Sequence, residues 1–314
     1  MKIIYKLKYT FLRKVSLFYS SQEIPLYLRT DEDAKNLRLL RKNISDFFEK
    51  EDTETLTESQ STTDWIFFQQ ELATHLMKDD PRFFTKWKVV SETMFFEPSD
   101  EEFYALQTAP KSLQWLWKNA AIEHSLGCPS PYILYPTSSG NLIHHAYSLL
   151  KLLEFTAPDL LKSIDHIWEW GAGYGSFCRL CFQARFSGKY SIFDLQLFAM
   201  LQQYYLSEVR PHEFDNQLIT WKNTSELAEK KYAAPDLFVA LWSLSETPLA
   251  ARAQIIAHLS DCKYWLIAFQ NQFSDIDNIL YFNQLQQENP HIHWQLIPIV
   301  HLPNNFYLIG KIII

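Results

Sequence analysis

The most informative part of this sequence for the fold is the stretch Glu169-Trp170-Gly171-Ala172-Gly173-Tyr174-Gly175. It contains three of the seven glycines in 314 residues, and they stand at alternate positions. An apolar run, Ile164–Trp170, leads into it and a helical pattern, Gly175–Phe186, follows, so the stretch predicts a tight turn between a strand and a helix. The first N–H groups of that helix have no partner within the helix. We therefore predict a ligand site at this turn.

The alternation of strand and helix continues through the second half of the chain. The apolar runs typical of strands are Ile164–Trp170, Tyr190–Leu195, Gln217–Trp221, Asp236–Trp242, Tyr264–Phe269, Trp294–Val300 and Phe306–Ile313. The helical patterns between them are Gly175–Phe186, Gln196–Val209, Ser225–Lys230, Pro248–Leu259 and Asp275–Asn289. Such alternation predicts an α/β fold, with a Rossmann-like parallel sheet covered by helices on both faces. The link His301–Asn305 is too short for a crossover, so we expect seven strands with the last one antiparallel.

The first half of the chain has helical patterns instead. Apolar residues recur at three- and four-residue spacing in Asp31–Lys50 and Thr63–Lys78, and the polar stretch Glu51–Thr62 between them predicts a loop. Ser99 followed by acids predicts a helix start, and Ser112–Ser125 predicts another amphipathic helix. We therefore predict a mostly α-helical N-terminal region, residues 1–155, before an α/β domain, residues 156–314.

Composition excludes several classes of protein. With 29 Lys and Arg against 36 Asp and Glu, the formal charge of −7 does not suit a nucleic-acid binder. Four cysteines without framework spacing predict a reduced, cytoplasmic protein, and no apolar stretch is long enough for a membrane span. Residues 1–20 are basic and amphipathic; they would either rest on an anionic membrane or a partner, or pack on their own domain, which we favour.

Two acids select the kind of ligand. Glu169 stands two residues before Gly171, whereas the third glycine of a dinucleotide fingerprint would fall on Ser176. A carboxylate at that point suits a cationic amine and would repel a pyrophosphate. Asp194 ends the second strand, where a carboxylate accepts hydrogen bonds from two ribose hydroxyls. The pattern favours a nucleoside that carries a positively charged tail.

At these residues the chain resembles the class I S-adenosylmethionine-dependent methyltransferases, and among them the bacterial sugar O-methyltransferases. The resemblance covers about residues 136–314. Its segments are Ser139–Tyr147, Glu169–Gly175, Ile192–Leu195, Leu201–Leu206, Leu241–Glu246 and Asn305–Gly310. The chain departs from the pattern at Gln196, where such proteins commonly have proline, and at the bulky Trp168 and Trp170.

The resemblance implies S-adenosyl-L-methionine as cofactor and a sugar or glycan-related small molecule as methyl acceptor. Glu169 would bind the methionyl amine, and Asp194 the ribose diol. Leu195 would pack on adenine, while Trp242 and Ser243 would reach the rim near the reactive methyl group. The implied cofactor-binding residues are Glu169, Gly171, Ala172, Gly173, Gly175, Asp194, Leu195, Trp242 and Ser243. The helical N-terminal region would shape the acceptor side of the pocket.

A hydroxyl acceptor needs a general base. Ser243-Leu-Ser-Glu246 stands where amine methyltransferases often have Asn/Asp-Pro-Pro-Tyr, which favours methylation of oxygen, with carbon as the alternative. Glu246 is one candidate base, although it would equally serve as an acid at a helix start. His144 and His145 are the others; adjacent helical residues point about 100° apart, so at most one faces a pocket. Their helix face also carries Asn141 and Ser148, and we favour solvation for it.

Two further patterns predict structure rather than chemistry. Cys178 and Cys181 lie on the helix after the glycine turn, and we predict that both are buried small apolar side chains. His291 and His293 alternate on one strand without an acid to complete a ligand set, so we predict no metal site. Two rival functions stay open: a nicotinamide-dependent oxidoreductase, and a non-catalytic protein of the methyltransferase fold that binds partners. The sequence leaves the acceptor's identity and the oligomeric state open.

Overall fold

The computed structural model describes residues 31–50, 63–95, 99–223, 227 and 232–313. The basic residues 1–20 and the expected loop 51–62 lie outside this part of the chain, as does nearly all of the expected helix Ser225–Lys230. No helix within these ranges has both the length and the apolar character needed to cross a membrane.

A seven-stranded sheet forms the centre of the fold. The described residues also form four short strands outside this sheet. In chain order all the strands are β1 (Pro131–Tyr132), β2 (Tyr135–Ser139), β3 (His166–Trp170), β4 (Lys189–Asp194), β5 (Ile219–Asn223), β6 (Leu237–Leu241), β7 (Tyr264–Gln270), β8 (Gln272–Phe273), β9 (Ile276–Asp277), β10 (Ile292–Pro298) and β11 (Asn305–Ile312). The large sheet has the order β10-β11-β7-β6-β3-β4-β5, and the pairs β1–β2 and β8–β9 stand apart from it. Strands β3 to β7 pair in parallel, whereas β11 runs antiparallel to both β7 and β10. The predicted fold class, including the reversed last strand, is confirmed.

Helices precede the sheet and connect its strands. They are α1 (Asp31–Lys50), α2 (Thr63–Lys78), α3 (Lys88–Thr93), α4 (Asp100–Thr108), α5 (Gly140–Phe155), α6 (Leu160–Ser163), α7 (Ser176–Gln183), α8 (Gln196–Val209), α9 (Pro211–Asp215), α10 (Leu249–Ile256) and α11 (Asn278–Glu288). Helices α1, α2 and α8 begin and end at the predicted residues. Ser99 caps α4 as expected, because its Oγ accepts a hydrogen bond from the Glu101 N–H at 3.1 Å.

The amphipathic helix expected over Ser112–Ser125 is wrong. Only one π-helical turn, Leu116–Ala120, forms in this segment. The chain then becomes extended, because the Glu123 N–H donates to the Thr137 carbonyl at 2.9 Å and Arg179 donates to the Ile122 carbonyl at 3.1 Å. Tertiary hydrogen bonds therefore replace the helical ones that the pattern predicts.

The helices of the first half pack directly on the sheet domain. One continuous hydrophobic cluster contains buried side chains from α1, such as Ile44, and from β11, such as Ile309. Asn36 of α1 donates to the Glu208 carboxylate of α8 at 2.6 Å, and Trp65 of α2 makes an edge contact with Phe198 of α8. These contacts bring the N-terminal helices over one end of the sheet.

The order of the strands positions the site. Strand β3 lies between β4 and β6, so the chain leaves β3 toward one side of the sheet and returns on the other. The carboxyl ends of these three parallel strands therefore lie side by side, at the switch point where α/β sheets bind ligands.

Candidate active site

The turn between β3 and α7 requires glycine. Gly171, Gly173 and Gly175 have φ angles of +68°, +56° and +93°, in the left-handed region that glycine adopts without strain. At Gly171 an added Cβ would lie 2.3 Å from the Cβ of Ser243, directly after β6. The turn consequently packs against the end of the neighbouring strand with no room for a side chain.

Glu169 lies at the floor of the pocket beside this turn and is 2% exposed. Its Oε2 accepts a hydrogen bond from the Tyr190 hydroxyl at 2.8 Å. Within the described ranges no Lys, Arg or His pairs with it. Burial raises the pKa of Glu169 to about 8, and the charge of Asp194 adds to this rise. The carboxyl group thus stays largely protonated at neutral pH until a cation reaches it.

Asp194 ends β4 and faces the same pocket. Its Oδ2 accepts hydrogen bonds from the Ala172 N–H at 2.9 Å and from Gln202 Nε2 at 2.6 Å, and its Oδ1 accepts one from the Leu195 N–H at 2.7 Å. Burial nevertheless raises the pKa of Asp194 to about 6. Gln202 also donates to the Gly173 carbonyl at 2.9 Å. Asp194 therefore orders the glycine turn in addition to facing the pocket.

Sequence reasoning missed Gln202. It lies two helical turns after Asp194 and within the family segment Leu201–Leu206, but no pattern singled it out from the polar residues of α8. Its complete burial, with an amide that bonds both Asp194 and the Gly173 carbonyl, identifies it as part of the site.

The pocket has about 1110 Å³ of empty space, its open mouth included. The predicted residues that line it are His145, Glu169, Gly171, Ala172, Gly173, Asp194, Leu195, Trp242, Ser243 and Glu246. Trp65 and Thr93 of the N-terminal helices line it together with Met94 directly after α3, and there the sequence could not separate pocket residues from core residues. Gly175 is not in the wall; it caps α7 at the back of the turn. No Lys or Arg among the described residues lines the pocket.

Trp242 and Ser243 form a fixed rim. Trp242 has a φ of 65°, a left-handed conformation that is strained for an aromatic residue. Its backbone N–H donates to the Ala268 carbonyl at 2.7 Å, and its indole N–H donates to Asn305 Oδ1 at 2.6 Å. The Ser243 hydroxyl donates to the Trp170 carbonyl. These bonds hold the rim against the glycine turn.

Glu246 lies at the pocket wall with a proton affinity suited to neutral pH. Burial raises its pKa to about 7, and the 3.4 Å hydrogen bond from Gln270 Nε2 only partly opposes this. A carboxyl group with a pKa near the working pH can both accept and release a proton. Glu246 ends the short 3₁₀ turn Ser243–Glu246, where both of its predicted roles, base and helix-start acid, remain compatible with its position.

The two histidines of α5 have separate surroundings. His145 lines the pocket, and burial, aided by the charge of His144, lowers its pKa to about 3, so the ring is neutral. His144 is 1% exposed and lies outside the pocket wall, with its Nδ1 2.5 Å from Glu102 Oε1. Asn141 and Ser148 are buried as well, so the expected solvated face is wrong. Packing against α4, α7 and β11 covers it.

Glu102, His144 and His301 form a compact group that we call the histidine–glutamate cluster. Glu102 of α4 is fully buried, and its Oε1 also lies 2.9 Å from His301 Nε2. Burial by itself would raise the pKa of Glu102, but the His144 hydrogen bond and the nearby imidazoles of His144 and His301 outweigh it and lower the pKa to about 2. The sequence indicated Glu102 only as an acid at a helix start.

The two cysteines and two histidines that the sequence singled out lie outside the pocket wall. Cys178 and Cys181 are free and buried, as predicted, and burial raises the pKa of both thiols well above the ordinary value. His291 and His293 are exposed on or beside β10 and join no ligand-like group within the described residues.

The comparisons with known proteins find similarity of this chain to solved structures only. No family model matches the chain, and a search of curated proteins finds no match. Among solved structures, the methyltransferase domain of bacterial CtHen1 matches with 9% identity and a TM-score of 0.41, over 52% of this chain and 97% of that one. An O-MT segment of StiE matches with 13% identity and a TM-score of 0.40, over 52% and 72% of the two chains.

A third match is magnesium protoporphyrin IX methyltransferase from Synechocystis PCC 6803 with bound SAH. It has 13% identity and a TM-score of 0.37, over 54% of this chain and 84% of that one. Identities and scores of this size assign no activity. The sheet itself, with its order and its reversed strand β11, is the seven-stranded α/β arrangement that the sequence predicts.

Proposed function

We propose that this protein is an S-adenosylmethionine-dependent methyltransferase that acts on a hydroxyl group of a sugar or glycan-related small molecule. The observation that carries the proposal is the buried carboxyl group of Glu169, which faces the pocket without a cationic partner in the described part of the chain. A buried carboxylate needs a compensating charge. The ammonium group of the cofactor's methionyl tail would supply it.

The rest of the pocket fits the same molecule. Asp194 Oδ1 accepts one backbone hydrogen bond, which leaves acceptor capacity for a ribose hydroxyl. Leu195 offers an apolar surface for adenine, and the glycine turn lets the backbone approach the ligand closely. A dinucleotide fits less well, because its pyrophosphate would meet Glu169, Asp194 and Glu246 and no cationic side chain in the described wall.

Bound S-adenosylmethionine would supply an electrophilic methyl group. The protein's part is to align the acceptor and to remove its proton. We assign the proton to Glu246, whose pKa of about 7 suits a base at neutral pH. His145 is the second candidate: its neutral ring can accept a hydrogen bond from the acceptor, but its pKa of about 3 makes it a weak base. His144 would act only indirectly, because it lies outside the pocket wall.

The two halves of the chain would have different roles, because each contributes a different part of the pocket wall. Residues 156–314 would bind the cofactor, whereas residues 1–155 would shape the acceptor side through Trp65, Thr93 and Met94. Aromatic and thioether side chains offer apolar contact to a ring face of a sugar. The choice of a sugar rests on the family resemblance of the segments around the pocket.

Calorimetric titration with three ligands tests the proposal. We expect S-adenosylhomocysteine to bind one to one, 5′-methylthioadenosine, which lacks the amino-acid tail, to bind more weakly, and NAD⁺ not to bind. Binding of NAD⁺ without S-adenosylhomocysteine would favour the oxidoreductase. If the cofactor binds but no hydroxyl acceptor in a broad panel of sugars is methylated, the non-catalytic alternative replaces the enzyme.

A further inference from the structure

The histidine–glutamate cluster brings together three metal-ligand side chains from distant parts of the chain. Glu102 comes from α4, His144 from α5, and His301 from the connection between β10 and β11. One ligand atom of each residue lies within 4.8 Å of the other two. Side chains that converge in this way from separate elements can bind one ion without rearrangement of the backbone.

The charge of Glu102 points to a cation. The carboxylate is fully buried, and no Lys or Arg in the described part of the chain contacts it. Its Oε2 is buried without a hydrogen-bond partner there, although Oε1 has two close imidazole nitrogens. His301 Nε2 lies 2.9 Å from Oε1, yet its direction does not meet the geometry of a hydrogen bond. A single divalent ion between the three groups would satisfy the carboxylate and both rings.

From this geometry we propose that Glu102, His144 and His301 form a metal site for a divalent transition ion, most suitably Zn²⁺. Two imidazoles and one carboxylate make a ligand set that zinc favours, with a fourth position for water. Magnesium and calcium prefer ligand sets made of oxygen alone. The side chain of His301 is 9% exposed, so an ion has a short way in from the surface.

The position of the cluster indicates a structural and positioning role. The ring of His144 packs against Trp242, with 5.2 Å between ring centroids, on the far side of the pocket wall. Asn305, a few residues after His301, holds the Trp242 indole at 2.6 Å. A bound ion would therefore join α4, α5 and the β10–β11 connection. It would also hold Trp242 of the rim on the side that faces away from the pocket. The metal site does not depend on the proposed methyl transfer.

Metal titration of the chelator-treated protein tests the site. Zn²⁺ is titrated calorimetrically and Co²⁺ by visible absorption, with S-adenosylhomocysteine present and absent. We expect one ion per chain, low-coordinate Co²⁺ bands, and a higher melting temperature with Zn²⁺. His301→Ala and Glu102→Gln should each weaken Zn²⁺ binding at least tenfold. His293→Ala, which removes an exposed histidine of β10, is the matched control and should bind like the wild type.

The outcomes separate a metal site from a protonated cluster. His301→Ala removes a side chain from a connection rather than from the core, so it keeps the test valid if Glu102→Gln fails to fold. No stoichiometric Zn²⁺ binding by the wild-type chain would overturn the proposal and leave a proton on the imidazoles as the compensating charge. Unchanged binding in His301→Ala would overturn it as well. Binding that S-adenosylhomocysteine displaces would move the ion to the pocket and equally contradict the site.

Discussion

The pocket and the histidine–glutamate cluster both bury glutamates, but their surroundings move the pKa values in opposite directions. Glu169 in the pocket has a hydroxyl as its neighbour, and its pKa rises to about 8. Glu102 in the cluster has two imidazoles, and its pKa falls to about 2. Burial is nearly complete at both sites, so the partner and not the depth decides the charge. The imidazoles beside Glu102 favour its carboxylate form, whereas the described wall of the pocket offers Glu169 no cationic side chain.

The largest expected effect concerns Glu246, the second glutamate of the pocket, whose pKa is raised like that of Glu169. Glu246→Gln keeps the shape of the side chain and removes the base, so turnover should fall by about 10²–10⁴-fold. S-adenosylhomocysteine affinity, measured calorimetrically, should stay near the wild-type value. His145→Ala is the comparison variant. If it loses more turnover than Glu246→Gln on the true acceptor, His145 is the base.

The two buried glutamates, Glu102 and Glu169, should affect the stability of the fold in opposite directions. The folded pKa of Glu102 is lowered, so its contribution to stability is present above about pH 4.5 and is lost as the pH falls toward 2. The folded pKa of Glu169 is raised, so its contribution is present below about pH 4.5 and is lost as the pH rises through 8. At pH 8, Glu102→Gln should lower the free energy of unfolding by about 3 kcal/mol. Glu169→Gln should raise it by about 1–3 kcal/mol.

Denaturant unfolding of the ligand-free, chelator-treated chains measures both changes. Glu154→Gln, on the exposed end of α5, is the control for a lost surface charge and should stay within about 0.5 kcal/mol of the wild type. Changes of the same sign for Glu102→Gln and Glu169→Gln would contradict the comparison.

Loss of the pocket's acids should weaken cofactor binding. Glu169→Ala and Asp194→Ala each remove a charge-assisted hydrogen bond and should reduce S-adenosylhomocysteine affinity by about 1.5–3 kcal/mol. Glu169→Ala should barely change the affinity for 5′-methylthioadenosine, which has no ammonium group. Asp194→Ala should weaken both ligands, because both contain the ribose. Calorimetry that finds equal losses on both ligands for Glu169→Ala would remove its assignment to the amine.

An effect similar in size to those of the two alanine variants is expected for the pH dependence of binding. The ligand's ammonium needs the carboxylate form of Glu169, and this form is scarce below a pKa of about 8. Affinity for S-adenosylhomocysteine should therefore rise by up to about tenfold per pH unit between pH 6 and 8 and level off above. The profile of Glu169→Gln should be much flatter. A wild-type affinity that does not change with pH would mean that Glu169 is already ionised in the empty pocket.

The sheet and the glycine turn were predictable because their signals are local. Short apolar runs set the strands, and a cluster of a scarce residue before a helix marked the turn. Parallel strands end at one edge, so the proximity of Glu169, Asp194 and Trp242 followed from the strand pattern alone. Apolar periodicity, which is also a local signal, predicted the first and last residues of α1, α2 and α8 correctly.

The parts of the site that escaped prediction depend on tertiary packing. Trp65 and Met94 come from an N-terminal region whose aromatic and apolar residues mostly form core, and no spacing separates pocket residues from core residues. The face of α5 that carries His144 looked solvated, because a sequence pattern does not show that α4 and β11 cover it. Gln202 has an ordinary helical position, and only its hydrogen bonds to Asp194 and to the Gly173 carbonyl show its role.

The close approach of Gly171 to Ser243 has a consequence for engineering acceptor choice. A larger residue at position 243 would displace the glycine turn, so libraries that randomise this side of the rim should return mainly small residues there. Trp65 of α2 and Thr93 at the end of α3 line the same pocket from the N-terminal half of the chain. Under the proposed function, diversity introduced at these two positions offers the better route to new acceptors with an intact cofactor pocket.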